Sequence, residues 1–251
     1  MALVDVEDHD GVAVVRMNRP PANALDPSLL AAGLSALEEL RAASPGAVVL
    51  TGSGKFFSGG ADLRVVPALS VEEQTEMARG VNQLFSGWHG FSRPLVCAVN
   101  GHAVAGGLIL ALCGDYRVGP ASGQFGLTEV KVGIPFPSAA MDVVLAELTP
   151  PAARRLVLRG ELFDSSTALS LDIFDEVVAD DAVVERALEM ASEFAALPPK
   201  TYEAVKARLR ADPSSRRGMF AGTQTPGWVS SEAATAAPAV LDRSSDTKST
   251  D

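Results

Sequence analysis

The stretch PLVCAVNGHAVAGGLILALCGDYR, residues 94–117, constrains the fold more than any other part of the chain. Residues 95–99 form a short, mostly apolar run behind Pro94, which is typical of a strand buried on both faces. Asn100 and Gly101 end this run, and residues 108–113 are apolar throughout, too crowded for a surface helix. The stretch therefore predicts a buried strand followed, after a short loop, by a buried helix.

Three small residues, Ala105, Gly106 and Gly107, lie where this helix is expected to begin. The first N–H groups of a helix have no partner within the helix and carry a partial positive charge, so they stabilise an anion or a developing oxyanion. Small side chains also let a ligand approach the backbone closely. The residues alone leave two interpretations open, an anion site or a tight contact between helix and strand.

A second stretch, GSGKFFSGGADL at residues 52–63, follows the apolar run AVVLT at 47–51, which predicts a buried strand. Glycines and serines surround Phe56 and Phe57, so we expect a surface loop wrapped around an apolar group. The stretch lacks the Gly-Lys-Ser/Thr of a phosphate-binding P-loop. Its glycines are not spaced as in a dinucleotide-binding fingerprint either.

Five motifs follow one another along about residues 4–210. They are NRPPANAL at 18–25, FSGGADL at 57–63, AVNGHAVAGG at 98–107, CGDYRV at 113–118 and QFGLTEVKVGIP at 124–135. In this order and spacing the chain resembles the crotonase family, also called the enoyl-CoA hydratase/isomerase superfamily. Each motif alone is a weak signal, but the combination is specific.

The resemblance implies an α/β fold, a crotonase-like spiral of strand-strand-helix units. It also implies a helical C-terminal region that makes homotrimers, which often pair into hexamers. We accordingly expect a spiral core at 1–197, a helical oligomerisation region at 198–243 and a disordered tail at 244–251. Within the second part, residues 229–242 can form an alanine-rich helix, whereas the tail is too polar to bury itself.

Local signals predict the remaining elements. Asp10-Gly11 predicts the turn of a hairpin between strands at 2–8 and 12–17. Asp26 before Pro27 predicts the start of a helix, and the capping box of Ser70 and Glu73 predicts the start of another. Later patterns predict short strands or turns at 116–119 and 123–126 and a strand at 173–178. They also predict helices at 138–148, 150–159, 165–171, 181–197 and 199–210.

Composition and charge limit the class of function. The chain has 251 residues, 47% of them hydrophobic, which is enough for one main domain. A net charge of −10 argues against partners such as nucleic acid or an anionic membrane. Without a leader or an apolar run of membrane length, we expect a cytoplasmic protein. Cys97 and Cys113 are expected to be reduced core thiols, and three scattered histidines suggest no metal site.

The resemblance assigns a substrate, an acyl-CoA thioester, and the residues that bind it. Two backbone N–H groups of the family point at the thioester oxygen, and the matching positions are Ala61 and Gly106. Lys55 and Arg64 match basic positions for the phosphates of coenzyme A, with Arg19 as an additional contact. The remaining substrate-binding positions are Ala22, Ala24, Ser58, Gly59, Asp62, Leu63, Ala105 and Ile109. Coenzyme A is part of the substrate, so no separate cofactor is expected.

The carboxylates decide which reaction the resemblance implies. Hydratases of the family hold and split a water molecule between two glutamates. The position of the first is Ile109 in this chain, and the position of the second is Glu129. A third carboxylate, used by some relatives, falls at Pro137, and Asp142 lies out of register in a predicted helix. Glu129 is therefore the candidate acid/base.

The neighbours of Glu129 set its expected chemistry. They include the apolar residues Phe125, Leu127, Val130, Val132, Ile134 and Phe136. An apolar pocket desolvates a carboxylate and raises its pKa, which suits a proton shuttle; the alternative is an ordinary surface glutamate on a turn. The family commonly carries a non-catalytic histidine or tyrosine at the position of His102. Ser58 has no histidine partner in a recognisable motif, so a serine hydrolase is not expected.

These residues favour a Δ3,Δ2-enoyl-CoA isomerase of fatty-acid β-oxidation or a related acyl-CoA pathway. Such isomerases of the family also have an apolar residue where Ile109 lies and keep the second glutamate. Glu129 would take a proton from C2 of a 3-enoyl-CoA and return it to C4. Two alternatives stay open: a hydratase or another crotonase reaction without the first glutamate, and a non-catalytic acyl-CoA-binding protein.

Overall fold

The computed structural model describes residues 2–211, in which the strands form two sheets. The chain divides after Ala195 into two compact units; both sheets and helices α1–α8 belong to the first, and α9 belongs to the second. The strands are β1 (Val4–His9), β2 (Val12–Met17), β3 (Ala47–Gly52), β4 (Phe56–Ser58), β5 (Leu95–Ala98), β6 (His102–Val104), β7 (Tyr116–Pro120), β8 (Phe125–Gly126) and β9 (Glu176–Val178). The helices are α1 (Pro27–Ala43), α2 (Val71–His89), α3 (Gly106–Leu112), α4 (Glu129–Val132), α5 (Ser138–Glu147), α6 (Pro150–Arg159), α7 (Ser165–Ser170), α8 (Val183–Ala195) and α9 (Pro199–Arg210).

Units of strand, strand and helix repeat along the first compact unit. They are β1-β2-α1, β3-β4-α2, β5-β6-α3 and β7-β8-α4. The large sheet has the order β1-β2-β3-β5-β7-β9, with β1 antiparallel to β2 and the other neighbours parallel. The small sheet is parallel and takes the second strand of the later units, in the order β4-β6-β8. This architecture confirms the predicted α/β spiral.

The large sheet is buried on both faces because its central strands are apolar throughout. All six residues of β3 and all four of β5 are buried. Successive side chains of a strand point to opposite faces, and β3 shows this directly. Val48 and Leu50 pack into the core that holds α1, α2, α3 and α5, whereas Val49 packs into the core beneath α8. Helix α8 supplies Val183 and other small buried residues to that second core.

Two of the three strands of the small sheet, β4 and β6, were not predicted from the sequence, whereas β8 lies within the short strand or turn expected at 123–126. Residues 52–63 were expected to be a loop but contain β4, and the expected loop after Asn100 contains β6. Each of these strands is only three residues long, too short to show the alternation that identifies a strand. Their pairing, Phe56 with His102 and Ala103 with Phe125, brings three separate loops to one edge of the fold.

The helix and turn signals are confirmed at their predicted positions. The Asp26 side chain accepts the Leu29 N–H at the start of α1, and both hydrogen bonds of the Ser70 capping box are present at α2. Asp10 and Gly11 take positive φ angles of 53° and 85° in the β1–β2 turn. The strand predicted at 173–178 begins only at Glu176, because the buried residues Ile173 and Phe174 lie in irregular backbone before it.

Other predictions are confirmed in part or lie outside the described residues. Cys97 and Cys113 are both buried, as expected. The predicted helix at 229–242 and tail at 244–251 lie outside residues 2–211, so the division into three parts stays a prediction. Within 2–211, no helix combines the length and apolar character needed to cross a membrane.

The contact between α3 and β4 generates a stability prediction. A Cβ built at Gly107 would lie 2.0 Å from the Ser58 carbonyl oxygen, so Gly107→Ala forces backbone apart and is expected to lower the free energy of unfolding by on the order of 3 kcal/mol. At Gly80, inside α2, the nearest atom to a built Cβ is 3.6 Å away, and Gly80→Ala is expected to raise that free energy by about 1 kcal/mol. Urea unfolding of both variants checks the contrast, and equal effects would contradict the close approach of α3 to β4.

Candidate active site

The segment around Leu25 runs parallel to the loop that follows β4. The Leu25 N–H donates to the Gly60 carbonyl at 2.7 Å, and the Asp62 N–H donates to the Leu25 carbonyl at 2.9 Å. This is the pattern of a parallel bridge between Leu25 and Ala61. The bridge uses the groups on either side of Ala61, so the Ala61 N–H itself points away from Leu25. It donates no hydrogen bond within residues 2–211.

Gly106 is the first residue of α3, so its N–H has no acceptor within the helix. The residue before it, Ala105, has φ 52° and ψ −127°, a conformation that L-residues rarely adopt. The Ala105 N–H donates to the Gly126 carbonyl at 2.7 Å, which ties this turn to β8. The turn therefore holds the Gly106 N–H in a fixed direction at the edge of the small sheet.

The two N–H groups are brought together by the contact of Gly60 with the start of α3. A Cβ built at Gly60 would lie 2.9 Å from the Gly106 nitrogen and 2.8 Å from the Val104 carbonyl oxygen. Gly60 also has φ +76°, which favours glycine at this position. Ala61 and Gly106 are both partly exposed, so a ligand can reach them. The geometry fits a pair of backbone donors for one oxygen atom.

Glu129 follows the small sheet on the same side as Gly106. β8 pairs with β6 so that Gly126 lies opposite Val104, and the chain then enters α4, whose first residue is Glu129. Glu129 is only 6% exposed, and its Oε2 atom is buried without a hydrogen-bond partner in the described part of the chain. The structure thus places this candidate acid/base in a buried position and not on a surface turn.

Burial raises the pKa of Glu129 to about 7, and its own backbone N–H opposes this shift only in part. The apolar surroundings differ from the expected ones. Phe125 and Leu127 are fully buried, but Val130 and Val132 are 51% and 47% exposed because α4 turns them outward. The carboxyl group is thus half protonated near neutral pH, which suits a group that both accepts and returns a proton.

Ile109 lies one helical turn after Gly106 and is 1% exposed within the core. Its side chain has no atom that could hold or deprotonate water. Pro137, which occupies the position of a third carboxylate in some relatives, precedes α5. Asp142 lies on the exposed side of that helix. Of the candidate carboxylates considered from the sequence, only Glu129 is buried beside the small sheet.

The expected coenzyme A positions occupy the surface around the Leu25–Ala61 bridge. Gly59 donates its N–H to the Ala22 carbonyl at 2.8 Å, and both residues are partly exposed, as is Ala24. Leu63, Lys55 and Arg64 are exposed, and within residues 2–211 neither of the two basic side chains forms an ion pair. This surface therefore offers backbone, one apolar side chain and two cations to a ligand.

Two side chains of the predicted set have structural partners. Ser58 is fully buried, where its hydroxyl donates to the Asn23 carbonyl at 2.8 Å. Asp62 forms an ion pair of 2.9 Å with Arg19 and accepts the Arg64 N–H at 3.0 Å. Arg19 thus binds protein carboxylate, which differs from the expectation that it contacts a phosphate.

His102 also has a structural setting. Its Nδ1 accepts the Gln124 backbone N–H at 3.0 Å, so the proton of the neutral ring lies on Nε2. The ring packs on Phe56 with centroids 4.7 Å apart. These contacts join β4, β6 and the start of β8 and agree with the non-catalytic interpretation. In the described chain no group of three or more His, Cys, Asp or Glu residues could hold a metal ion.

Sequence reasoning missed Asn23, which is 1% exposed beneath the site. Its side-chain amide donates to the carbonyl oxygens of Phe56 at 2.8 Å and Ser53 at 3.0 Å. Its φ of 47° is left-handed, which asparagine tolerates better than most residues. The sequence did contain a signal for this role, an asparagine between the proline pair and the apolar Ala24-Leu25. Asparagine is common in turns because its side chain can hydrogen-bond to nearby backbone groups.

Comparisons with known proteins agree with this arrangement. A family model described as enoyl-CoA hydratase/isomerase matches residues 7–223. A putative enoyl-CoA hydratase of Thermus thermophilus is 38% identical over 209 residues, 80% of this chain and 81% of that protein. The probable enoyl-CoA hydratase EchA17 of Mycobacterium tuberculosis is 34% identical over 200 residues, 79% of this chain and 77% of that protein. The apo structure of an enoyl-CoA isomerase of M. tuberculosis superposes with a TM-score of 0.79 at 33% identity, covering 88% of this chain and 99% of that chain.

The raised pKa of Glu129 generates a prediction about stability and pH. Between the ordinary value of 4.5 and about 7, the folded state holds more protons than the unfolded state, so stability falls as pH rises through this window. Across this window the free energy of unfolding of the wild type is expected to fall by about 3 kcal/mol relative to that of Glu129→Gln, which lacks the titrating carboxyl group. Urea unfolding of both proteins at several pH values between 5 and 8 measures the difference. Parallel stability curves would show that Glu129 titrates normally.

Proposed function

Because the chain belongs to the enoyl-CoA hydratase/isomerase family, we propose that it is an acyl-CoA enzyme that converts a 3-enoyl-CoA to the trans-2-enoyl-CoA. One observation carries the choice of reaction. Within residues 2–211, the site presents a single buried carboxylate, Glu129, whereas the position of a second one holds the buried side chain of Ile109. A single group that accepts and returns one proton is sufficient for moving a double bond.

The proposed reaction begins with the thioester oxygen between the N–H groups of Ala61 and Gly106. The Glu129 carboxylate takes a proton from C2, and the electrons of that C–H bond move towards the thioester oxygen as a dienolate forms. The two N–H groups stabilise the developing negative charge. Glu129 then gives the proton to C4, the double bond forms between C2 and C3, and the carboxylate is restored. No water, oxidant or reductant is consumed.

The environment of Glu129 supports both halves of this proton transfer. In water a carboxylate with a pKa near 4.5 is a weak base, and its protonated form is short-lived at neutral pH. Burial brings the pKa of Glu129 to about 7, so its two protonation states are close in free energy. The unpartnered Oε2 atom leaves one oxygen available to a substrate carbon rather than to a protein donor.

A second candidate, hydration of a 2-enoyl-CoA, is favoured by the descriptions of two of the relatives as hydratases. Addition of water needs a group that holds the water and takes its proton while another protonates the substrate carbon. With Ile109 at the first position, Glu129 would have to do both. We therefore place isomerisation first and hydration second.

The wider setting is part of the same proposal. We place the reaction in fatty-acid β-oxidation or a related acyl-CoA pathway of the cytoplasm, in a homotrimer or hexamer. Coenzyme A arrives as part of the substrate, and no other cofactor takes part. The exposed cations Lys55 and Arg64 are proposed to contact its phosphates, since phosphate groups attract such side chains.

The proposal predicts activity that depends on one carboxylate. Purified protein is expected to convert trans-3-hexenoyl-CoA to the conjugated product, seen as a rise in enone absorbance. Glu129→Gln is expected to lower kcat by about 1000-fold, because it removes the proton carrier and keeps the shape. Asp142→Asn, which neutralises the exposed carboxylate of α5, is the matched control and should keep full activity.

Three outcomes contradict this assignment. Full turnover by Glu129→Gln would remove Glu129 from the reaction. Loss of absorbance with crotonyl-CoA, and no gain with trans-3-hexenoyl-CoA, would establish hydration instead. Binding of several acyl-CoAs without turnover of any would favour a non-catalytic acyl-CoA-binding protein.

The raised pKa of Glu129 also predicts how kcat/KM depends on pH. Proton removal from C2 requires the ionised form of Glu129, so kcat/KM for trans-3-hexenoyl-CoA is expected to rise with pH and to level off above about 7. Below the midpoint the logarithm of kcat/KM should fall with a slope of one. A midpoint near 4.5, the ordinary value for a glutamate, would contradict a base buried as Glu129 is.

A further inference from the structure

Arg19 lies between two carboxylates at the rim of the candidate site. Its Nη2 atom is 2.9 Å from Asp62 Oδ2 and 3.0 Å from Asp26 Oδ2, and its Nη1 donates to the Ala24 carbonyl at 3.2 Å. The side chains of Asp62 and Asp26 are 14% and 13% exposed and that of Arg19 is 21% exposed. We call Arg19, Asp26 and Asp62 the arginine clamp. It is far more enclosed than an ordinary surface ion pair.

The clamp joins two elements that are distant in sequence. Asp26 is the N-cap of α1, where its other oxygen accepts the Leu29 N–H at 2.8 Å. Asp62 directly follows Ala61 in the loop after β4. Arg19 therefore connects the start of a long helix with the residue next to the proposed oxyanion donor. A rigid helix end is thus linked to a loop that lacks regular structure.

Within the arginine clamp, Arg19 and Asp62 are each held in place by further hydrogen bonds. The Arg19 N–H donates to Asn23 Oδ1 at 2.9 Å, and the Asn23 N–H donates to the Arg19 carbonyl at 2.8 Å. On the other side, Asp62 Oδ1 accepts the Arg64 N–H at 3.0 Å, and the Arg64 N–H and the Arg19 guanidinium lower the pKa of Asp62. The Asp62 carboxylate is therefore ionised and fixed through both of its oxygens.

We propose that Arg19 is a positioning residue, which acts through Asp62 to fix the direction of the Ala61 N–H towards the thioester oxygen. This inference rests on the proposed function, because it assigns a role within the same oxyanion hole. The Leu25–Ala61 bridge limits the loop on one side. The Ala61 N–H belongs to the peptide group between Gly60 and Ala61, whose carbonyl accepts the Leu25 N–H at 2.7 Å. The arginine clamp holds Asp62, the residue after Ala61, so the chain is fixed on both sides of this N–H.

The chemistry of arginine explains why this residue type suits the clamp. One guanidinium presents several N–H donors in a fixed plane, so it holds two carboxylates and a carbonyl at once. Without it, two nearby negative charges remain and repel each other, which moves Asp62 and its loop away from α1. Lysine has the charge but not the planar arrangement, so Arg19→Lys should restore only part of the function.

The test uses a chromophoric substrate analogue, 4-dimethylaminocinnamoyl-CoA. Its absorbance shifts to longer wavelength when hydrogen-bond donors polarise the thioester carbonyl, so the shift reports on the oxyanion hole and not on affinity. The variants are Arg19→Met and Asp62→Asn, and the matched control is Arg79→Met, which removes an exposed ion pair of 2.6 Å with Glu76 on α2. Asp62→Asn is nearly isosteric, so it keeps the test valid where Arg19→Met folds poorly.

The expected result separates positioning from binding. Each variant is expected to bind the analogue with an affinity close to that of the wild type, to lose most of the red shift, and to lower kcat by about 100-fold. The double variant should lose no more than either single one, because the two residues act as a unit. Arg79→Met should behave as the wild type.

Other outcomes overturn the inference in distinguishable ways. A red shift and kcat that stay at the wild-type values in both variants would show that the clamp does not position Ala61. A raised KM with unchanged kcat would make Arg19 or Asp62 a binding contact instead. If the wild type itself binds the analogue without a red shift, the assignment of Ala61 and Gly106 as an oxyanion hole is wrong. The clamp proposal is then wrong as well, because it rests on that assignment.

Discussion

The close approach of Gly60 to the amide of Gly106 is the contact on which the rest of the site depends. No side chain fits between them, since a Cβ at Gly60 would lie 2.9 Å from that nitrogen. The loop after β4 and the start of α3 can meet in this way only because β4 and β6 are neighbours in the small sheet. The buried strands β3 and β5 of the large sheet precede β4 and β6, so the packed core supports this contact.

Two unfavourable features are kept at the site and supported by the surrounding fold. Ala105 has a backbone conformation that costs free energy, and Glu129 is buried without a partner for one oxygen. In the proposed reaction each has a chemical benefit, a fixed N–H in the first case and a proton carrier near neutral pH in the second. The apolar cores on both faces of the large sheet offset these costs.

Sequence reasoning succeeded where the determinant was local or belonged to a family motif. Asp26 and Ser70 cap the helices they were predicted to cap, because a helix start needs only residues a turn apart. It failed for β4 and β6, whose pairing is set by the tertiary fold rather than by their three-residue patterns. It also misjudged Arg19, since no local signal shows that two carboxylates come together around it, and Val130, whose exposure follows from how α4 turns.

The site residues come from four successive strand-strand-helix units, with Arg19 after β2, Ala61 after β4, Gly106 after β6 and Glu129 after β8. During synthesis on the ribosome, each unit leaves the exit tunnel with one part of the site. The proposed acid/base emerges last, so a nascent chain completes the proposed oxyanion pair before it gains Glu129. The proposed activity in such a chain would report that the fourth unit has docked, which would make catalysis a probe of vectorial folding.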